Sequence, residues 1–140
     1  MSKFTNHESI VIDSNVWISA LVFGGNARAI FEYSIRNGVT ISVSIELINE
    51  VRRIVFKKFK SFKSDLEDFI LAINSKLDYV MLGSVLVEVC RDPNDNFVIE
   101  TAVISKSKYI VSGDRDLLEL KAYKGIKFVS PADFVRMLGV

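Results

Sequence analysis

The sequence predicts an α/β fold, a single three-layer domain with a mostly parallel sheet and helices on both faces. Three observations lead there. Short β-branched runs alternate with segments of helical periodicity along the chain. Helix signals stand between those runs: Ser44, the Asp92-Pro93 pair and Pro131 as starts, Gly38 as a stop. No repeats, low-complexity tracts or Pro/Gly-rich linkers interrupt the pattern, and 140 residues suit one domain over 1–140 with residues 1–8 as a polar leader.

Ile10-Val11-Ile12 reads as the first strand, and a helix begins near Val16, capped by Ser14 or Asn15. Between Asn26 and Asn37, Ala27, Ile30, Phe31, Ser34 and Ile35 share one helical face. Val39–Val43 is the second strand, and Ser44 caps a helix to about Phe56. An amphipathic helix follows from about Asp65 to Leu77, then a third strand over Tyr79–Leu82. Asp92-Pro93 opens a helix to about Ser105, with Asp92 as N-cap. Tyr109–Ser112 is a fourth strand, Phe128-Val129 a short fifth, and Pro131 starts a terminal helix. Strands separated by helices imply parallel pairing.

Composition excludes several chemistries. The chain is 49% apolar and 25% charged, a folded rather than a disordered balance. No apolar run is long enough to cross a bilayer, and the polar start lacks a secretory signal, so the expected location is cytoplasmic. One cysteine, Cys90, cannot form an internal disulfide and reads as a small buried hydrophobe. One histidine, His7, sits in the leader, so histidine zinc sites and Ser-His-Asp or Cys-His catalysis lack their parts. Carboxylates, amides, hydroxyls, lysine and arginine are left to carry any chemistry.

In open parallel sheets, ligands sit beyond the carboxyl ends of strands where the strand order reverses. Asp13 directly follows the first strand, and Asp114 lies just past the fourth. Asp116 with Glu119 three later reads as a capping box, which leaves Asp114 without a structural task. Glu50 interrupts the apolar stripe Leu47, Val51, Ile54 and Val55, either as a stem over the core or as an acid in a polar pocket. Asp95 shares a stripe with Val98, Ile99 and Ala102, where a capping-box partner of Asp92 is the bland alternative. Four carboxylates converging would repel one another, and hard cations, Mg²⁺ or Mn²⁺, are the remedy. Such ions support phosphodiester hydrolysis without a covalent nucleophile. Asn15 and Ser112 are placed to hold the acids by hydrogen bonds.

The segments Ile12-Asp13-Ser14-Asn15-Val16, Glu50-Val51, Arg91-Asp92-Pro93-Asn94-Asp95-Asn96, Ser112-Gly113-Asp114-Arg115-Asp116-Leu117-Leu118 and Ser130-Pro131-Ala132-Asp133-Phe134 resemble, in order and spacing, the compact prokaryotic branch of the PIN domains. Many members of that branch are toxins of toxin–antitoxin pairs. The resemblance runs from about Ile10 to the C-terminus and implies an endoribonuclease using Mg²⁺ or Mn²⁺. It carries the family's four acids, as catalytic and metal-holding residues, onto Asp13, Glu50, Asp95 and Asp114, with Glu46 a substitute for Glu50 and Asp116 an extra acidic contributor. It also implies an RNA substrate and an antitoxin partner, with a housekeeping RNA-processing nuclease as the alternative.

Two rival classes remain. Phosphoaspartyl proteins need Asp-x-Asp after the first strand or an aspartate ending a middle strand, and here residue 15 is asparagine. A non-catalytic RNA- or partner-binding module would rest on Arg52, Arg53, Lys57, Lys58, Lys60 and Lys63, which run without an intervening acid and interleave with Phe56, Phe59 and Phe62. The same stretch reads equally as a solvated helix face, a homodimer surface or a groove for an antitoxin segment.

Overall fold

The computed structural model describes residues 8–84, 87–88, 90 and 92–139. The leader through His7, and Arg91 of the acidic segment, lie outside the described residues. Six strands alternate with seven helices: β1 (Ser9–Ile12), α1 (Ser14–Val22), α2 (Gly25–Arg36), β2 (Thr40–Val43), α3 (Ile45–Lys58), α4 (Lys63–Ile73), β3 (Leu77–Tyr79), α5 (Pro93–Ser105), β4 (Tyr109–Val111), α6 (Arg115–Leu120), β5 (Ala122–Tyr123), β6 (Ile126–Val129) and α7 (Pro131–Leu138). The sheet order is β3-β2-β1-β4-β6-β5, parallel except for the β5–β6 pair.

The order reverses between β1 and β4, which pair directly through Ile10–Tyr109, Val11–Ile110 and Ile12–Val111. The first and fourth strands, whose ends lead to Asp13 and Asp114, are therefore neighbours. Every residue of β1 is buried, on both faces of the strand, as expected when helices cover both sides of a parallel sheet. Right-handed crossovers running in opposite directions place their helices on opposite faces. Trp17 of α1, Phe31 of α2 and Phe69 of α4 meet edge-to-face at 4.7–5.8 Å and knit one layer together. On the other side α5 lies against β1, β2 and β4.

The structure corrects four expectations. The third strand is Leu77–Tyr79, earlier than Tyr79–Leu82, because Leu77, Asp78 and Tyr79 pair with Ile41, Ser42 and Val43. The preceding α-helix ends at Ile73 in a 3₁₀ turn, where Asn74 accepts a hydrogen bond from the Tyr79 hydroxyl at 3.2 Å. The apolar Val80–Leu82 run lies past the strand, and Met81 is 86% exposed. Third, α1 starts at Ser14 and is capped by Asp13, which accepts from the Ser14 N–H at 2.8 Å. Fourth, α6 is capped by Asp114, which accepts from the Asp116 N–H at 2.9 Å, so Asp114 does have a structural task. In both cases a helix-capping acid stands just past a strand end. The β5–β6 hairpin through Lys124-Gly125 was not legible, because β5 is only two residues long.

Candidate active site at the carboxyl edge of the sheet

The crevice is built from backbone first. The Asp13 N–H donates to the Val111 carbonyl at 2.9 Å, extending the β1–β4 ladder to its last rung. That bond fixes where the Asp13 side chain leaves the sheet. Only 3% of Asp13 is exposed, and its carboxylate accepts from the Ser14 N–H and from the Ser112 hydroxyl at 2.7 Å. The Ser112 oxygen in turn accepts from the Asp114 N–H at 2.9 Å. Asn15 completes the frame, its Oδ1 accepting from the Gly113 N–H at 3.2 Å. Ser112 and Asn15 thus hold the β4–α6 turn against the start of α1; Ser112 bonds the Asp13 carboxylate directly, whereas Asn15 bonds the Gly113 backbone.

Burial pushes the Asp13 carboxyl up; the hydrogen bonds from Ser112 and Ser14 pull it down, and the Asp114 charge pushes it up again. Asp95, in the first turn of α5, is pushed up to about 7 by burial, then by the charges of Asp114, Asp13 and Asp92. Asp92 caps α5, accepting from the Asn94 N–H at 3.0 Å. Glu50 is raised by burial and by the Asp13 charge, against a lowering influence of Arg53, whose guanidinium stands 3.8 Å away. Its side chain is only 15% exposed, so it faces the crevice and not open water. Glu46 is exposed and lines a different hollow beside Ile45, Tyr79 and Met81.

The crevice therefore gathers Asp13, Glu50, Asp95 and Asp114: Asp13 acts on Glu50 and Asp95, and Asp114 acts on Asp13 and Asp95. Asp116 stands at its margin on the first turn of α6. Sequence reasoning missed Ser14 as a neighbour of the acids: it is buried at the start of α1, beside both Asp13 and Glu50, and lowers the proton affinity of each. A hydroxyl directly after a strand-ending acid was the available signal. Cys90 also lies in the field of Asp95, Asp114, Asp116 and Asp92, which together with burial push its thiol up to about 11. A protonated thiol is a poor ligand, so oxygen donors dominate the crevice. Among the described residues, no three acid, thiol or imidazole side chains converge as a finished metal cage. The backbone brings the acids within electrostatic reach of one another.

The basic stretch is divided by the fold. Arg52 is held by Glu67 through two bonds of 2.9 Å, which makes it a bracket between α3 and α4 and removes it from the free cations. The Lys63 ammonium stands 4.9 Å over the Phe56 ring. Lys57, Lys58 and Lys60 are exposed at the end of α3 and just past it. Phe59 and Phe62 pack partly into the core, while Phe56 is 56% exposed.

The model of the PIN domain matches residues 9–116 of this chain, which spans every acid of the crevice. The uncharacterized protein MJ1680 of Methanocaldococcus jannaschii is 31% identical over 117 residues, 80% of this chain and 74% of that protein. A chain of the crystal structure of VapBC2 from Rickettsia felis, bound to a DNA fragment from its promoter, is similar with a TM-score of 0.61 at 14% identity. That match covers 87% of this chain and 98% of the other, and it speaks for the fold. The chain belongs to the PIN-domain family. PIN domains are generally nucleases that use divalent metal ions. No helix among the described residues is long and apolar enough to cross a membrane.

Proposed function

We propose that this chain is an endoribonuclease that depends on Mg²⁺ or Mn²⁺, with Asp13, Glu50, Asp95 and Asp114 as the acids that hold the ion. The observation that carries the reading is the placement of Asp13, Glu50 and Asp95 where burial, and in each case the charge of at least one neighbouring acid, raises their proton affinity. Three acids that disfavour their own ionisation are stabilised as a set by a dication. The donors are hard oxygens, which suit magnesium and manganese better than softer metals. When bound, such an ion supplies charge neutralisation and water activation for phosphodiester hydrolysis. The chain's own groups orient that chemistry: Ser112 and the Ser14 N–H hold the two oxygens of Asp13, and Asn15 fixes the turn that carries Asp114.

Incubating the protein with single-stranded RNA and, separately, single-stranded DNA tests this reading. Internal cleavage of RNA with Mg²⁺ or Mn²⁺, abolished by EDTA, is expected. Cleavage that persists in EDTA, or that prefers DNA, would overturn it.

We further infer a role as the toxin of a toxin–antitoxin pair. The likeness to a VapBC2 chain supports it, as does a hollow of about 360 Å³ between α3 and α4. Val55, Phe56 and Leu66 give that hollow apolar walls, and Arg53 and Lys63 give it a basic rim, suited to an acidic amphipathic segment of a partner protein. Growth arrest on induced expression, relieved by the protein encoded beside it, is the expected result.

A further inference from the structure

Immediately beyond Asp95, the Asn96 side chain makes two backbone bonds to one residue. Its Oδ1 accepts from the Cys90 N–H at 2.8 Å, and its Nδ2 donates to the Cys90 carbonyl at 3.0 Å. An asparagine amide used this way imitates one rung of a β-ladder. The two bonds close a ring from Cys90 to Asn96 that contains Asp92, Pro93, Asn94 and Asp95. One turn further along α5, the Glu100 carboxylate accepts a bond from the Gly83 N–H. Side chains of α5 thus hold both ends of the connection that leads from β3 into the acidic turn.

We propose that Asn96 is a positioning residue that latches this connection as a wall of the acid crevice and fixes the turn carrying Asp92 and Asp95. The function of the latch rests on the metal-dependent reading above. Its geometry follows from the two bonds alone. The angle at which a chain enters a helix sets where the first-turn side chains point, and two bonds to one residue fix that angle more tightly than the Asp92 cap can. Groups that hold ligand residues in place commonly change metal affinity or activity by about ten- to a hundred-fold when removed.

The chain's lone cysteine makes the latch directly observable. Cys90 is half-buried beside the acids, so its thiol reacts slowly while the latch is closed. The experiment compares wild type, Asn96→Ala and Asn96→Asp, first by the rate of iodoacetamide labelling under native conditions without metal. Wild type and Asn96→Ala are then compared by Mn²⁺ affinity from titration calorimetry. Denaturant midpoints confirm that each variant is folded. Asn96→Ala should label about tenfold faster, the scale of losing two ordinary hydrogen bonds. Asn96→Asp keeps the acceptor for the Cys90 N–H and should fall between, which also serves if the alanine variant does not fold. Asn96→Ala should bind Mn²⁺ about tenfold more weakly. Unchanged labelling in both variants would overturn the latch. Faster labelling with unchanged Mn²⁺ affinity would reduce Asn96 to a loop anchor and overturn its positioning role. If wild type itself binds no Mn²⁺, the proposed function fails, while labelling still decides the latch.

Discussion

The Ser112 hydroxyl donates to Asp13 Oδ2 at 2.7 Å, across the boundary where the sheet reverses its strand order. The same oxygen accepts the Asp114 N–H at 2.9 Å, so one serine relates the buried acid to the turn carrying its neighbour. Removing the hydroxyl frees Asp13 and loosens that turn together. Ser112→Ala should therefore cost stability by about 1 kcal/mol for the missing bonds and lower cleavage by about ten- to a hundred-fold. A Ser112→Ala protein with wild-type cleavage would mean that Asp13 needs no such orientation.

Asp114 caps α6 and also adds negative charge beside Asp13 and Asp95. Asparagine caps a helix about as well as aspartate, so Asp114→Asn keeps the cap and removes the repulsion. In EDTA this variant should melt above wild type, whereas Asp114→Ala should lose about 1 kcal/mol with the cap. Added Mg²⁺ should raise the wild-type Tm more than that of Asp114→Asn. Equal melting temperatures in EDTA and equal magnesium shifts would place Asp114 outside any ion site.

Asp92 and Asp95 divide the work of one turn. Asp92→Ala should lower stability by about 1 kcal/mol as a lost N-cap and leave much of the cleavage intact. Asp95→Asn should abolish cleavage with little loss of stability. The reverse pattern in paired melts and rate measurements would exchange the two assignments.

Stability in EDTA should depend on pH through the raised acids. Asp95 is held at about 7 against an ordinary value of 3.8, so between those values the folded protein keeps a proton that the unfolded chain has released. The stabilisation is fully present below the lower value and is lost as pH rises through the upper one. Asp13 and Glu50 are raised as well and act in the same direction. Tm should therefore fall between about pH 5 and about pH 8, and the fall should be shallower in Asp95→Asn. A Tm that rises over this window, or an unaltered slope in the variant, would contradict the shifts.

The basic end of α3 should act in binding. Replacing Arg53, Lys57 and Lys60 by glutamine should weaken RNA association and flatten its salt dependence, by about 0.7 in logarithmic slope for each phosphate no longer neutralised. Arg52→Gln should instead loosen the α3–α4 bracket to Glu67 and leave the slope alone. An unchanged slope in the triple variant would return those residues to a solvated face.

Much of this was legible in the residues. Hydrophobic periodicity located the parallel strands and most helices, because burial on both faces demands continuous apolar strands and striped helices. Asp13, Glu50 and Asp114 stood out because each lay past a strand end or interrupted an apolar stripe, whereas Asp95 took its reading from the resemblance to PIN domains, which carried all four as a set. The capping roles of Asp13 and Asp114 escaped, since Ser14, Asn15 and Asp116 were equally good caps by type, and only backbone geometry chooses among them. Ser14 and Asn96 escaped for a related reason: their partners, Glu50 and the Cys90 backbone, are set by tertiary placement that no local pattern records.

Asp13, Glu50, Asp95 and Asp114 acting as one cation-dependent nuclease site is the claim on which the rest depends. The most direct test measures RNA cleavage with saturating Mn²⁺ for wild type and the four single amide variants, Asp13→Asn, Glu50→Gln, Asp95→Asn and Asp114→Asn, each confirmed folded by its melt. Loss of cleavage by about a hundredfold or more in each, with weaker Mn²⁺ binding in each, is the predicted result. Full cleavage by Asp13→Asn, the most buried of the four acids, would contradict it.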